Sequence, residues 1–146
     1  MRSGRRRARE FALQGLYQWQ LAGHAPAEIL AQLAQATGYA RVDADYLKTL
    51  LEGVIGEAAP LEARLAPVLD RKFAELSPIE RGLLLMGAYE LASQPDTPYR
   101  VVINEAIELA KAYGGTDGHK YVNGVLDKLA HELRAAEVKA RSAART

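Results

Sequence analysis

An all-α fold is predicted from three features of the 146-residue sequence. Every strongly periodic segment repeats its apolar residues at the helical spacing, and none alternates apolar and polar residues as a half-buried strand does. Capping signals that start helices recur along the chain, the clearest being "SPIE" at 77–80. The links between periodic segments are short, so about six or seven helices run mostly antiparallel to their neighbours, in one bundle or two packed bundles.

Ala8, Phe11, Ala12, Gly15, Leu16 and Trp19 share one stripe of a first helix that Gly23 stops, with Arg6, Glu10, Leu13 and Tyr17 on the opposite side. Pro26, suited to a first helical turn, opens a second helix through Ile29, Leu30, Leu33 and Ala34, ended by Gly38. Asp43 caps a third, whose inward residues are Tyr46, Leu47, Leu50, Leu51, Val54 and Ile55. Pro60 marks a break or a new first turn, after which Leu61, Leu65 and Leu69 suggest a shorter fourth helix. The fifth starts at a capping box of Ser77 and Glu80 and uses Ile79, Leu83, Leu84, Met86, Gly87 and Leu91. Two prolines make the loop at 93–100 irregular. A sixth helix carries Val102, Ile103, Ala106, Ile107, Ala110 and Tyr113 and closes at Gly114. Thr116 or Asp117 caps a last helix through Val122, Val125, Leu126, Leu129 and Leu133. Beyond it the small and basic residues lack an apolar stripe, so 135–146 is expected to be a basic, frayed tail.

Hydrophobic residues make up 49% and charged residues 25%, an ordinary globular composition able to bury a core without staples. The absence of cysteine excludes disulfides, thiolate metal sites and cysteine nucleophiles, and fits a reducing, cytoplasmic setting. No stretch approaches the roughly 20 apolar residues of a membrane span. The net charge of +1 conceals an asymmetry, because 5 of the 19 basic residues lie within the first nine positions.

That run, Arg2, Arg5, Arg6, Arg7 and Arg9, heads a helix whose dipole favours negative charge there. A local conflict of this kind marks functional surface. The planar fork of arginine suits phosphate contact and stacking on bases, and Tyr17 follows Arg6 on the same exposed side. Charge followed by an aromatic ring is the layout that single-stranded nucleic acid requires. The plainer alternative is that the arginines solubilise a terminus while Leu13 and Tyr17 pack under other helices. A targeting peptide fits less well, since Glu10 interrupts the segment and its periodicity continues into the chain.

No catalytic constellation is legible. His24, His119 and His131 are scattered, without metal-ligand spacing. "YGGTDGHKY" at 113–121 lacks the strand and the spacing of a phosphate-binding loop, and Glu105 and Glu108 read as a solvated helix face. The absence of such a constellation favours a binding protein, although catalytic groups can meet only once the chain is folded.

Four stretches carry a family resemblance: "RRRAREFALQGLYQWQLAG" at 5–23, "SPIERGLLLMGAYEL" at 77–91, "TPYRVVINEAIELAKAYG" at 97–114 and "DGHKYVNGVLDKLA" at 117–130. In this order they resemble the bacterial transcription antitermination factor NusB family, whereas 24–72 is generic helical sequence. The resemblance implies a NusB-like domain over 1–134 in two small packed bundles, of roughly 1–75 and 76–134, without cofactor or catalysis. It implies binding to the boxA element of nascent ribosomal RNA as a heterodimer with NusE, a small-subunit ribosomal protein, within an RNA polymerase complex that resists premature termination. It carries an RNA-binding role onto Arg5, Arg6, Arg7, Arg9 and Tyr17, and onto Asp117, Lys120 and Tyr121, with Lys120 on phosphate and Tyr121 as a stacking ring; Arg2 and Gln14 beside them are further RNA-binding candidates. Glu80, Arg81 and Tyr89 become candidates for the NusE contact.

Two rival readings remain at this level. One is a helical protein-interaction module without specific RNA affinity, self-associating as a homodimer in the free state. The other is an RNA-modifying enzyme, disfavoured because no glycine-rich strand-to-helix turn is present to hold a methyl donor.

Overall fold

The computed structural model describes residues 3–144, which form eight α-helices joined by short turns and no strand. The chain divides into two compact units, one ending at Ala58 and one beginning at Ala59. The division thus falls earlier than the boundary near residue 75 suggested by the sequence.

In the N-terminal unit, α1 (Gly4–Ala22) packs on α2 (Pro26–Leu33) and α3 (Ala44–Gly56), and these two also meet. Ser3 caps α1 by accepting a hydrogen bond from the Arg6 amide, and Gly23 closes it in the left-handed conformation. The Asp43 carboxylate caps α3 through the Tyr46 amide, as its sequence position implies. Where α1 crosses its partners, Gly15 admits the closest approach: a Cβ there would lie 2.9 Å from Leu51 Cδ1 and 3.0 Å from Ile29 Cγ2. The second helix ends at Leu33, short of Gly38, and a 3-10 turn at Tyr39–Arg41 makes the connection to α3.

The C-terminal unit holds α4 (Ala58–Leu65), α5 (Pro78–Ser93), α6 (Tyr99–Tyr113), α7 (Gly118–Leu133) and α8 (Ala135–Ala144). The fourth helix stops before Leu69, and 3-10 turns at Ala66–Val68 and Phe73–Glu75 lead on to α5. Helices α5, α6 and α7 pack on one another, and α7 also meets the Ala66–Val68 turn and α8. Every residue from 82 to 91 of α5 is buried, as in a helix that is apolar on all sides and occupies the centre of its unit. Its capping box forms as expected, Ser77 Oγ accepting from the Glu80 amide and Glu80 Oε1 from the Ser77 amide. Gly87 is the point of closest approach to α7, since a Cβ there would sit 2.7 Å from both methyl carbons of Leu126.

Gly114 closes α6 as expected, in an extended conformation, its amide donating to the Ala110 carbonyl at 2.8 Å. One expectation is corrected here. Residues 135–144 are helical instead of frayed, and the reason is a polar clamp that no apolar stripe announces. Arg134, in the turn between α7 and α8, donates to the carbonyls of Glu90, Leu91, Gln94 and Thr97 and pairs with Glu137 at 2.6 Å. Glu137 Oε2 in turn accepts the Tyr99 amide at the start of α6. Val138 adds the one buried apolar contact of α8.

Replacing Arg134 with Met should keep much of the side-chain volume but strand these carbonyls. The expected loss is about 3 kcal/mol of unfolding free energy, read by denaturant titration, because several buried acceptors lose a charged donor together. A change within about 0.5 kcal/mol, the level of an ordinary surface substitution, would mean the clamp contributes nothing.

Candidate nucleic-acid interface

The residues singled out in the sequence fall into two clusters, one in each unit. In the N-terminal unit the arginine run is sorted by Tyr46, a ring whose sequence position marks it only as core. The guanidinium of Arg5 lies 4.3 Å from the centroid of Tyr46, and that of Arg9 5.4 Å. Arg9 is only 4% exposed, so its charge is engaged in this packing and does not reach a ligand in solution. Arg5 remains half exposed and stands 4.0 Å from the capping carboxylate of Asp43. These contacts bring aromatic and acidic partners to a helix end that has no acidic residue in its own first turn.

Arg6 is exposed and Arg7 half-buried. At 100° per residue Arg6, Arg7, Glu10, Gln14, Tyr17 and Leu21 follow one face of α1, and Gln14, Tyr17 and Leu21 are exposed along it. Tyr17 is 43% exposed, whereas Leu13 is buried. Arg2 lies outside the described residues.

In the C-terminal unit the first turn of α7 holds Asp117, Lys120 and Tyr121. Asp117 sits at the N-cap position with φ 65°, yet its side chain caps nothing and pairs instead with Lys120 Nζ at 3.2 Å. Both side chains are exposed, so the pair contributes little to stability. Tyr121 stands beside two residues that sequence reasoning missed. Arg71 lays its guanidinium 4.4 Å from the Tyr121 ring centroid, while its Nε and Nη2 hydrogen-bond both carboxylate oxygens of Asp70, at 2.7 and 3.2 Å. The "DRK" run at 70–72, directly after an apolar turn, was the available signal, but nothing local ties it to residue 121.

An open pocket of about 160 Å³ lies at this place, lined by Val68, Asp70, Lys120, Tyr121, Gly124, Val125 and Lys128. The hydrogen bonds from Arg71 hold the Asp70 carboxyl below the usual aspartate range, and the same bonds raise the Arg71 guanidinium. Burial pushes the Tyr121 phenol up, with the nearby Asp70 carboxylate adding to the effect, so the ring is neutral at physiological pH. Its hydroxyl oxygen is buried without a well-formed hydrogen bond among the described residues. The cluster thus offers a planar cation, a neutral ring and two lysines around a cavity. It lacks a nucleophile paired with a base, and among the described residues no group of three or more metal-ligating side chains converges.

The three candidates for a protein contact lie at or along α5. Glu80 and Arg81 are half-buried, Glu80 holding the capping box and Arg81 donating to the Ala74 carbonyl at 3.3 Å. Tyr89 is 8% exposed, so its ring belongs to the packing of the unit more than to its surface.

The folded Asp70 carboxyl is lowered relative to the unfolded chain, so its stabilising contribution is complete above the unfolded value and is lost as pH falls through the folded one. A carboxyl-detected NMR titration should therefore place its midpoint below the ordinary aspartate range, and Arg71→Ala should return it to that range. A midpoint within that range in the unaltered protein would mean that the pair does not persist in solution.

A family model of the NusB family matches residues 6–131. Transcription antitermination protein NusB from Burkholderia mallei (strain SAVP1) is 58% identical over 143 residues, covering 98% of this chain and 99% of the relative. The protein of the same name from Burkholderia pseudomallei (strain K96243) matches to the same extent. Among solved structures, T. maritima NusB is 29% identical, with a TM-score of 0.81 over 90% of this chain and 94% of that one. A crystal structure of antitermination factors NusB and NusE in complex with dsRNA superposes with a TM-score of 0.76 at 25% identity, covering 88% of this chain and 97% of that one.

Proposed function

This chain belongs to the NusB family, and from that premise we propose that it is a transcription antitermination factor that binds boxA-type RNA in nascent ribosomal transcripts together with NusE. The observation that carries the reading is the 58% identity to transcription antitermination proteins over nearly the whole length of both chains. The physical support is the exposed face of α1, where Arg6 and Arg7 precede Gln14 and Tyr17. Arg6 and Arg7 meet phosphates there, Gln14 supplies amide donors and acceptors, and Tyr17 stacks an unpaired base. Lys120 and Tyr121 meet RNA from α7, and Asp117 limits affinity by competing for Lys120.

Arg9 is reassigned within this reading. Its side chain rests on Tyr46 and shapes the arm instead of touching RNA. NusE meets the protein beside Glu80 and Arg81, with Tyr89 supporting that surface from within. The resulting complex joins elongating RNA polymerase in the cytoplasm and helps it pass termination signals. The protein does this by binding, without catalysis.

The test is a titration with boxA RNA and a scrambled RNA of equal length, with and without NusE, at two salt concentrations. NusE should raise affinity for boxA selectively. If both RNAs bind alike and NusE changes nothing, the chain is instead a helical protein-interaction module, and a concentration-dependent mass would identify it as a self-associating one.

The double substitution Arg6→Ala, Arg7→Ala should weaken RNA binding and flatten the salt slope by about 0.7 for each phosphate contact removed, the counterion-release value for single strands. Arg9→Ala should leave that slope unchanged and lower the melting temperature. An unchanged slope in the double variant would remove the arm from the interface.

A further inference from the structure

We propose that Arg71, held by Asp70 against Tyr121, is an RNA-contact residue: the outer face of its guanidinium is a stacking platform for one unpaired base. The inference rests on the RNA-binding reading and extends it to residues the sequence did not mark. Arg71 is 46% exposed at its side chain, with its guanidinium carbon over the Tyr121 ring at 4.4 Å from the centroid. The face away from the ring is the one a base can reach. Guanidinium planes accept bases by stacking, and a base placed here gains both the stack and the positive charge beneath it.

Asp70 is a positioning residue. By accepting from Nε and Nη2 at once it fixes the plane of the guanidinium, so the freedom of a long side chain is already lost before RNA arrives. The other donors of the fork remain for phosphate or base oxygens. The adjoining pocket has lysines at its rim in Lys120 and Lys128, which suit the phosphates on either side of a stacked nucleotide. Lys128, two turns after Lys120 on α7, thereby becomes a second new contact. An anion-binding pocket alone would need no planar cation on a ring, whereas a nucleotide uses every one of these features.

The experiment is a set of equilibrium titrations of boxA RNA with the full-length protein and NusE, at low and high salt, for the unaltered chain and for Arg71→Ala, Arg71→Lys and Asp70→Asn. Melting temperatures recorded alongside should hardly move, because both side chains are substantially exposed. Arg71→Ala should lower affinity on the order of 10-fold and reduce the salt slope. Arg71→Lys should keep the slope, since the charge remains, and still lose several-fold in affinity, since an ammonium offers no plane.

Asp70→Asn separates positioning from simple charge. Removing a negative group strengthens RNA binding if bulk electrostatics alone matters, but weakens it if the guanidinium must be held in plane. High salt screens the first effect and leaves the second. Binding by Arg71→Ala or Arg71→Lys at the unaltered affinity would overturn the platform, as would equal or tighter binding by Asp70→Asn at high salt. If the unaltered chain binds neither boxA nor scrambled RNA, the RNA reading falls and this inference with it; if it binds RNA but is indifferent to Arg71, only the platform falls.

Discussion

The buried guanidinium of Arg134 is the constraint on which the C-terminal unit depends. Its side chain is only 9% exposed, so its charge has given up most of its water and must be compensated by protein acceptors. It finds them in the carbonyls at the C-terminal end of α5 and in the turn after it, where the helix dipole also favours a cation. With the Ser77 and Glu80 box at the other end, α5 is secured at both termini. Glu137, held by the same arginine, fixes the first amide of α6. The helix that follows them in the packing, α7, then meets α5 through Leu126 on Gly87, an approach that any larger residue would push apart. That contact sets the height of α7 in its unit, and with it the places of Lys120, Tyr121 and Lys128.

A different balance governs the N-terminal unit. Arg5, Arg6, Arg7 and Arg9 at one helix end repel each other and the dipole, and the Arg5–Asp43 ion pair at 4.0 Å between half-exposed groups offsets little of that, well under about 1 kcal/mol. Stacking on Tyr46 stabilises the run more, because a cation held against a ring with its water partly removed gains about 1–2 kcal/mol. The tyrosine therefore divides the run by geometry. Arg5 and Arg9, one helical turn apart, turn toward it, while Arg6 and Arg7 are carried round to other sides of the helix. The same helical period that builds the core of α1 thus leaves part of the charge on its outer face.

What could be read from the sequence was local. Ser77 and Glu80 are three residues apart, as are Asp43 and the amide it caps, so adjacency in the chain states the interaction outright. The helical stripes of α3 and α7 were legible because burial in a helix follows its period, whereas in α6 Tyr113 of the expected stripe is exposed and Glu105, read as solvated, is buried. Helix α8 was not, since what secures it is an arginine bonded to a carbonyl 43 residues away, with Val138 as its one buried side chain. Arg9 reads as a surface charge because nothing near it in sequence announces Tyr46. Asp70 and Arg71 sit in a stretch of ordinary helical and turn residues, and only the folded chain brings them to Tyr121. Even Asp117, correctly placed at a helix start, makes its bond to Lys120 and not to the backbone. Its left-handed conformation turns the carboxylate away from the cap.

The two clusters differ in the kind of affinity they can supply to a nucleic acid. In the proposed interface, arginines on the face of α1 would act mainly through counterion release, a contribution that is large at low salt, falls steeply as salt rises and ignores sequence. A guanidinium already locked on a ring contributes through stacking, which salt hardly touches and which requires a base free of its duplex. The first draws in any polyanion; the second favours a single strand. A protein that must select one short element from a long transcript needs both, because charge alone would hold it everywhere along the RNA. The proposed division of labour follows from which arginines the fold sets along an exposed helix face and which it fixes on a ring.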